Sequence, residues 1–435
     1  MFRNWLIYLK PSNKSQEEIC AVKLRVLLTS LALLVINIQP IYAANPKYGD
    51  PCPKPNLVKT YEYITFICLK VNGKLVWTGK QESDSKTRAI DKFRKSSTYK
   101  SKLKIPSQIP TDFNNLYQNR KGIHYAAWKG LAKQIESSKP LLGSIEINIG
   151  PNTKPFFAPM TKSFEAVASL FGNFEQPKKL LIYQYSYSDI NWVISDLKSK
   201  ISQEDWDVAQ KQDGRGKLVE TNCQPDPNCI GSEVVSTGNN LAIMLLGIPN
   251  TINPFDATAK PKALEGMIEA HEYFHTIQDI PIRGNFTSNN LVPKNIDQKN
   301  QPPVWFTEGG AEWVQNAAVN YKNFSKYSDF IQIDCGQDSF CMPLQESDIR
   351  KYLSFSNQGS INIPNFDHYL AYNLGALIVE ALVSIEGPNS IMKMYDELGK
   401  NLGWEIAFKN IYGTEWNIVY PIIAKTISAN ISEYL

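Results

Sequence analysis

His271-Glu272-Tyr273-Phe274-His275 forms an H-E-x-x-H motif inside a stretch whose apolar residues recur at helical spacing. On an α-helix, His271 and His275 are one turn apart, and their rings project side by side. Two imidazole nitrogens so placed can each reach one zinc ion at about 2.0–2.1 Å. Glu272 is turned by about 100° from His271, which suits a general base better than a ligand. The motif predicts a zinc hydrolase site with Glu272 as its base.

The alternative is that these two histidines belong to the core and bind only protein partners. The chain has four histidines in all: His124, His271, His275 and His368. Because histidine is scarce, two of the four histidines would rarely have this helical spacing by chance. A second motif adds support for a metal site.

The second motif is a helical pattern that follows two prolines and covers residues 304–313, with the sequence Val-Trp-Phe-Thr-Glu-Gly-Gly-Ala-Glu-Trp. Catalytic zinc takes three protein ligands and keeps one position for water. A third histidine of the metzincin type is excluded, because Gln278 and Pro281 occupy the required Gly and His positions. Glu308 is therefore the best candidate for the third ligand. Glu312, one turn later, either competes for that role or accepts a hydrogen bond from a ligand histidine.

Gly309 and Gly310 lower the stability of this second helix. We expect them to allow it to approach the metal helix closely. The alternative, in which Glu308 and Glu312 lie on a solvated acidic face, fits poorly beside Trp305.

Together the two motifs resemble the gluzincin metallopeptidases, the class that includes thermolysin and the zinc aminopeptidases. The first motif is matched throughout, and W-x-x-E-G-x-A-E is matched at Trp305, Glu308, Gly309, Ala311 and Glu312. The 32 residues between His275 and Glu308 exceed the gap of the best-known members and imply an inserted loop. The resemblance covers roughly residues 230–420 and implies one catalytic Zn²⁺ ion and a peptide or protein substrate.

The resemblance also implies roles for two further segments. Residues 369–376 look like the Tyr-x-x-Gly-Ala segment of zinc aminopeptidases, so Tyr372 is expected to donate a hydrogen bond to the oxyanion. The strand that begins at Asn240, Leu241 and Ala242 is expected to line the cleft and to bind substrate through a free edge.

The order of apolar patterns predicts an α+β fold, because strands come first and helices later. The predicted strands are Gly143–Ile149, Lys179–Tyr185 and Asn240–Gly247, the last as a buried or edge strand. The predicted helices are Ala126–Ser137, Lys262–Ile277, Pro303–Val319, Tyr369–Glu386, Asn389–Leu398 and a C-terminal stretch. In gluzincin terms this is a mixed sheet with the zinc helix, followed by a helical lobe.

The N-terminus has the pattern of an export signal. A basic stretch ends at Arg25, an apolar run covers Val26–Ile38, and Ala43 and Ala44 precede a plausible cleavage point. We expect residues 1–44 to be removed, leaving a secreted, periplasmic or cell-surface protein without a stable membrane span. The alternative, a retained anchor, requires a longer apolar run.

The cysteine content agrees with export. Removal of the leader leaves six cysteines, which allow 15 pairings. Sequence order suggests three local disulfides: Cys52–Cys68, Cys223–Cys229 and Cys335–Cys341. Disulfides persist in oxidising compartments.

The chain before the catalytic domain is predicted to have two parts. Residues 45–78 form a small β-rich unit held by a disulfide, which either binds a cell-surface or wall ligand or simply packs on the main domain. Residues 79–110 form a basic polar linker. We favour a solvated segment over a binding site for a polyanion. Residues 111–435 are the predicted metallopeptidase domain.

The net charge supports this assignment. The formal charge is +4, of which the leader contributes +3, so the nearly neutral body gives no electrostatic case for nucleic acid. The predicted function is therefore an exported zinc metallopeptidase. The alternative is a gluzincin-fold binding protein that lacks turnover, or one that acts on a non-peptide bond.

Overall fold

The described part of the chain forms two compact units, one N-terminal and small, the other comprising the remainder. The computed structural model describes residues 50–55, 57–61, 64–71, 74–79, 105–153, 161–212, 216–225, 229, 231–237, 241–248, 266–283, 300–328, 345–355 and 370–434. The predicted leader, most of the predicted linker, Asn240, Cys335 and Cys341 lie outside these residues.

The small unit is a sheet of three strands in the order β1 (Val58–Tyr61), β2 (Ile64–Val71) and β3 (Lys74–Gly79). Strands β2 and β3 are antiparallel, with Val71 opposite Lys74. The two residues between them lie outside the described residues. The predicted Cys52–Cys68 disulfide is present, and both cysteines are buried. A unit this small needs such a cross-link.

The large unit contains a mixed four-stranded sheet in the order β4-β5-β7-β6. Its strands are β4 (Ser144–Ile149), β5 (Lys179–Tyr185), β6 (Ser232–Ser236) and β7 (Leu241–Gly247). Strands β4, β5 and β7 are parallel, and β6 runs antiparallel to β7. The α+β class predicted from the sequence is confirmed.

The two central strands are buried on both faces. Along β5 and β7, alternate residues enter two separate cores: Leu180 and Met244 belong to the first, and Leu181 and Ile243 to the second. Both strands are therefore continuous apolar runs, as central parallel strands usually are.

The free edge that we expected for the strand at Leu241 and Ala242 is not present. Strand β7 is hydrogen-bonded to β5 on one side and to β6 on the other. Its apolar run indicated burial on both faces, which is the requirement of an interior strand. The strand at the sheet's end on this side is β6, which the sequence did not reveal because Ser-Glu-Val-Val-Ser is short and half polar.

Helices make up the rest of the large unit. They are α1 (Ile123–Ser137), α2 (Thr161–Leu170), α3 (Ile190–Lys200), α4 (Gln203–Gln212), α5 (Leu218–Asn222), α6 (Met267–Arg283), α7 (Val304–Val319), α8 (Glu346–Phe355), α9 (Leu370–Glu386), α10 (Asn389–Gly399), α11 (Trp404–Tyr412) and α12 (Trp416–Tyr434). The predicted Cys223–Cys229 disulfide follows α5.

The predicted helices are found with shifted ends. The largest shift is in α6, which continues past Ile277 through Pro281 to Arg283. Its first residue, Met267, follows Gly266, whose φ of 74° lies in the left-handed region that favours glycine.

The membrane-spanning potential of the described helices is limited to one combination. No single one is long and apolar enough to cross a bilayer, whereas Leu370–Glu386 and Asn389–Gly399, bent by 101° relative to each other, meet the criterion together.

Helix α7 is the centre of the helical layer and packs against α6, α9 and α2. From the sequence we expected Gly309 to allow close approach to the metal helix α6, but it faces α9 instead. A Cβ at Gly309 would lie 2.2 Å from the Gly375 carbonyl carbon, so Gly309 permits contact with α9. Gly310 is the residue that faces α6, where a Cβ would meet Gln278 Nε2 at 3.3 Å and Phe274 Cε1 at 3.6 Å.

Substitution Gly375→Ala should destabilise the protein strongly. Its Cβ would lie 2.4 Å from the Trp305 carbonyl oxygen and 2.9 Å from the Gly309 Cα, and both are backbone atoms that cannot rotate away. We expect the free energy of unfolding, measured by urea denaturation, to fall by about 1–3 kcal/mol.

The matched control is Gly130→Ala in α1, whose Cβ would have its nearest neighbour, Pro388 Cδ, at 3.6 Å. This variant should keep or increase the free energy of unfolding, because alanine favours helix over glycine by about 1 kcal/mol. Equal stability of the Gly375→Ala variant and the wild type would contradict the close α7–α9 contact.

Candidate metal centre

Helix α6 presents two different faces. Ala270 and Phe274 belong to the main apolar core, and the ring of Phe274 stacks on Phe171 with centroids 4.8 Å apart. His271 and His275 face a cavity instead, with ring centroids 4.7 Å apart and an interplanar angle of 77°. The i, i+4 spacing thus places two imidazoles side by side, as the sequence predicted.

Helix α7 brings the predicted carboxylate to these imidazoles. Glu308 Oε2 lies 3.5 Å from His271 Nε2 and 3.4 Å from His275 Nε2. One ligand atom from each of the three side chains lies within 4.8 Å of the other two, so the group could hold a metal ion.

The positions of Glu308 and Glu312 separate the two roles that the sequence left open. Glu308 contacts the Nε2 atoms of both histidines, whereas Glu312 Oε2 lies 3.6 Å from Nδ1 of His271. Glu312 is therefore placed behind one imidazole and Glu308 between the two. This geometry favours Glu308 as a ligand and Glu312 as the group that orients His271.

The electrostatics of the centre favour a positive charge. Burial lowers the pKa of His271, but contacts with the Glu308 and Glu312 carboxylates outweigh it and raise this pKa to about 10. Burial also lowers the pKa of His275, and Glu308 reverses that effect. Burial raises the pKa of Glu308, but the charges of both imidazoles hold it well below its usual range. A cation between these groups would offset the buried negative charge.

Glu272 lies on the side of the cavity formed by β6. It is buried, and its Oε1 accepts a hydrogen bond of 2.9 Å from Ser232 Oγ. Ser232 could not be predicted from the sequence, because a single serine in a polar segment does not indicate a hydrogen-bond partner 40 residues later. This bond fixes one of the two carboxylate oxygens.

Tyr372, from the first turn of α9, also faces the cavity. Its ring is nearly parallel to that of His271, at 16°, with centroids 6.1 Å apart. Burial raises the pKa of Tyr372, and the negative charges of Glu308 and Glu272 raise it further. The phenol is therefore protonated at neutral pH and can donate a hydrogen bond.

These groups line a cavity of about 460 Å³, a size typical of ligand pockets. One wall is the strand β6, through Ser232, Glu233 and Val234. The predicted substrate-binding residues Leu241 and Ala242 are not among its lining residues, because they lie in the interior strand β7.

Comparison with protein-family models, with curated proteins and with solved structures finds no significant match to this chain. The assignment of the centre therefore depends on its own geometry and chemistry.

Addition of zinc, used as the probe metal, should raise the melting temperature of the metal-free wild-type chain. At a free zinc concentration about 100 times the dissociation constant, a ligand that binds only the native state raises the free energy of unfolding by about 2.7 kcal/mol. The Glu308→Gln variant should lose most of this zinc-dependent shift, because it removes the carboxylate that contacts both imidazoles.

The control is Glu346→Gln, which changes a partly exposed carboxylate on α8. It should retain the full shift. A Glu308→Gln variant that responds to zinc as the wild type does would rule out Glu308 as a ligand.

Proposed function

We propose that this chain is a gluzincin-like zinc metallopeptidase that hydrolyses peptide bonds. The observation that carries the proposal is the position of Glu308 Oε2, at 3.5 and 3.4 Å from the Nε2 atoms of His271 and His275. Ligands at about 2.0–2.1 Å from a tetrahedral zinc ion lie about 3.3 Å apart. The two separations of the Glu308 oxygen therefore match those between zinc ligands, and all three ligand atoms lie within 4.8 Å of one another.

The chemistry of the donor set supports zinc as well. Imidazole nitrogens and carboxylate oxygens are both ligands that zinc accepts, and three protein ligands are the number used in catalytic sites. When bound, zinc polarises the scissile carbonyl and lowers the pKa of a coordinated water toward neutrality.

The chain's own residues would perform the proton transfers. Glu272, held at Oε1 by Ser232, is the base that takes a proton from the attacking water and passes it to the leaving amine. Tyr372, whose raised pKa keeps the phenol protonated, donates a hydrogen bond to the oxyanion of the tetrahedral intermediate.

The wall formed by β6 supports an extended peptide as substrate. A strand at the end of a sheet can pair with a peptide backbone by strand addition. Among the described residues β6 is the last strand on its side of the sheet, and it lines the cavity. The substrate role that the resemblance assigned to the segment from Asn240 is thus transferred to Ser232–Ser236. The mixed sheet before α6 and the helices after it agree with a gluzincin arrangement, and the Cys52–Cys68 and Cys223–Cys229 disulfides agree with export.

The Glu272→Gln variant should bind zinc as the wild type does but lose hydrolysis of a peptide library by about 10²–10⁴-fold. The amide keeps the size of the side chain but cannot accept the proton. Zinc content by elemental analysis and cleavage by mass spectrometry would be measured on the same preparation, with Glu346→Gln as the control that retains both.

Unchanged hydrolysis by Glu272→Gln would falsify this base assignment. A wild-type chain that binds zinc stoichiometrically but cleaves no member of the library would instead favour a binding protein on the same site.

The Tyr372→Phe variant should reduce kcat by about 10²–10³-fold, the usual effect of losing one oxyanion donor. KM should change little, since the ring that faces His271 remains.

Tyr273→Phe is the matched control for this measurement. It lies on α6 but donates its hydroxyl to Gln176 at 2.8 Å, away from the cavity. It should cost about 1 kcal/mol of stability and leave kcat intact. Equal kcat values for Tyr372→Phe and the wild type would remove Tyr372 from the mechanism.

A further inference from the structure

Gln278 is a buried side chain on α6, three residues after His275 and only 1% exposed. Its Oε1 lies 2.7 Å from His275 Nδ1, and its Nε2 donates a hydrogen bond of 3.1 Å to the Thr307 carbonyl oxygen. A carbonyl accepts and never donates, so the amide nitrogen must face Thr307. The amide oxygen is thereby directed at His275.

This orientation determines the tautomer of His275. An amide oxygen can only accept, so His275 must carry its proton on Nδ1. In the neutral imidazole that a metal binds, Nε2 then carries the lone pair, and it is Nε2 that lies 3.4 Å from Glu308 Oε2. A metal at the centre requires this arrangement, because a ligand imidazole donates its other N–H to an outer partner.

The second hydrogen bond of Gln278 connects the two ligand helices. Thr307 belongs to α7 and directly precedes Glu308, so one amide contacts a ligand histidine and the backbone next to the ligand carboxylate. Thr307 is held in turn by Tyr395, whose hydroxyl donates to Thr307 Oγ1 at 3.2 Å. Gly310 provides the space, since a Cβ there would lie 3.3 Å from Gln278 Nε2.

We propose that Gln278 is a positioning residue for the metal centre: it holds His275 in the Nδ1-protonated tautomer and fixes α6 against the residue before Glu308. This inference rests on the proposed zinc site. The corresponding outer partner of His271 is the carboxylate of Glu312, at 3.6 Å. A neutral amide behind His275 supplies the same orientation without adding a further negative charge to a centre that already contains Glu272, Glu308 and Glu312.

The test compares zinc affinity with stability, because a purely structural glutamine would affect only the second. The zinc dissociation constant of the full chain would be measured by chelator competition, and the melting temperature by circular dichroism on the metal-free form. Gln278→Met keeps the approximate size and removes both hydrogen bonds. It should weaken zinc binding by about 10–100-fold, as the loss of outer partners commonly does.

Gln278→Glu is the conservative variant. A carboxyl group retains an oxygen that accepts from His275 Nδ1 in either protonation state, so zinc affinity should recover most of the loss seen with methionine. The visible spectrum of the cobalt-substituted chain should follow the same order, with a changed spectrum for Gln278→Met and a near-native one for Gln278→Glu.

Gln176→Met is the matched control. Gln176 is also a buried glutamine that binds α6, through the Tyr273 hydroxyl, and its amide donates to the Ala168 carbonyl at 2.9 Å. It touches no ligand. This variant should lower the melting temperature and leave the zinc dissociation constant unchanged.

The outcomes separate the two proposals. If wild type binds zinc and Gln278→Met binds it equally well, or if Gln176→Met weakens binding as much, the role of Gln278 is overturned and the zinc site stands. If the wild-type chain itself binds no zinc, the proposed function is overturned, and the role of Gln278 with it.

Discussion

The contact on which the site depends is the backbone approach of α7 to α9 at Gly309 and Gly375, where either glycine would clash with the other helix if it carried a Cβ. Glu308 directly precedes the first glycine, and Tyr372 lies one turn before the second. Close helix packing of this kind leaves little freedom for relative translation. The contact therefore sets the position of both side chains relative to each other, and packing of α7 on α6 then sets them relative to His271.

That framework has to hold a costly group of charges. Glu272 and Glu312 are buried, and Glu308 is mostly so, yet burial of ionised groups is unfavourable unless they are paired and hydrogen-bonded. The imidazoles of His271 and His275 compensate in part, which is why their pKa values rise despite burial. Apolar packing elsewhere on the same helices offsets the unfavourable free energy of burying these charges. The centre is therefore a polar patch on elements that otherwise belong to the core.

The parts of this site that the sequence could predict are those set by local periodicity. A helix places residues i and i+4 together whatever surrounds it, so His271 and His275 were found directly, and ligand counting then pointed to Glu308. The apolar run of β7 indicated its burial but could not show its neighbours, so its place inside the sheet was missed. Ser232 and the partner of Gly309 were missed for the same reason, since only the tertiary fold determines which distant residues meet.

The position of β6 bears on the proposed substrate site. An interior strand such as β7 has no backbone groups left for substrate, whereas β6 is the last strand of the sheet among the described residues and lines the cavity. Ser232 belongs to β6 and donates its hydroxyl to Glu272. A peptide that paired with β6 would therefore be aligned by the same strand that contacts Glu272, the proposed general base, so both positions would depend on one rigid element. Catalysis gains most from reacting groups held in fixed relative geometry, and β6 offers that geometry where β7 does not.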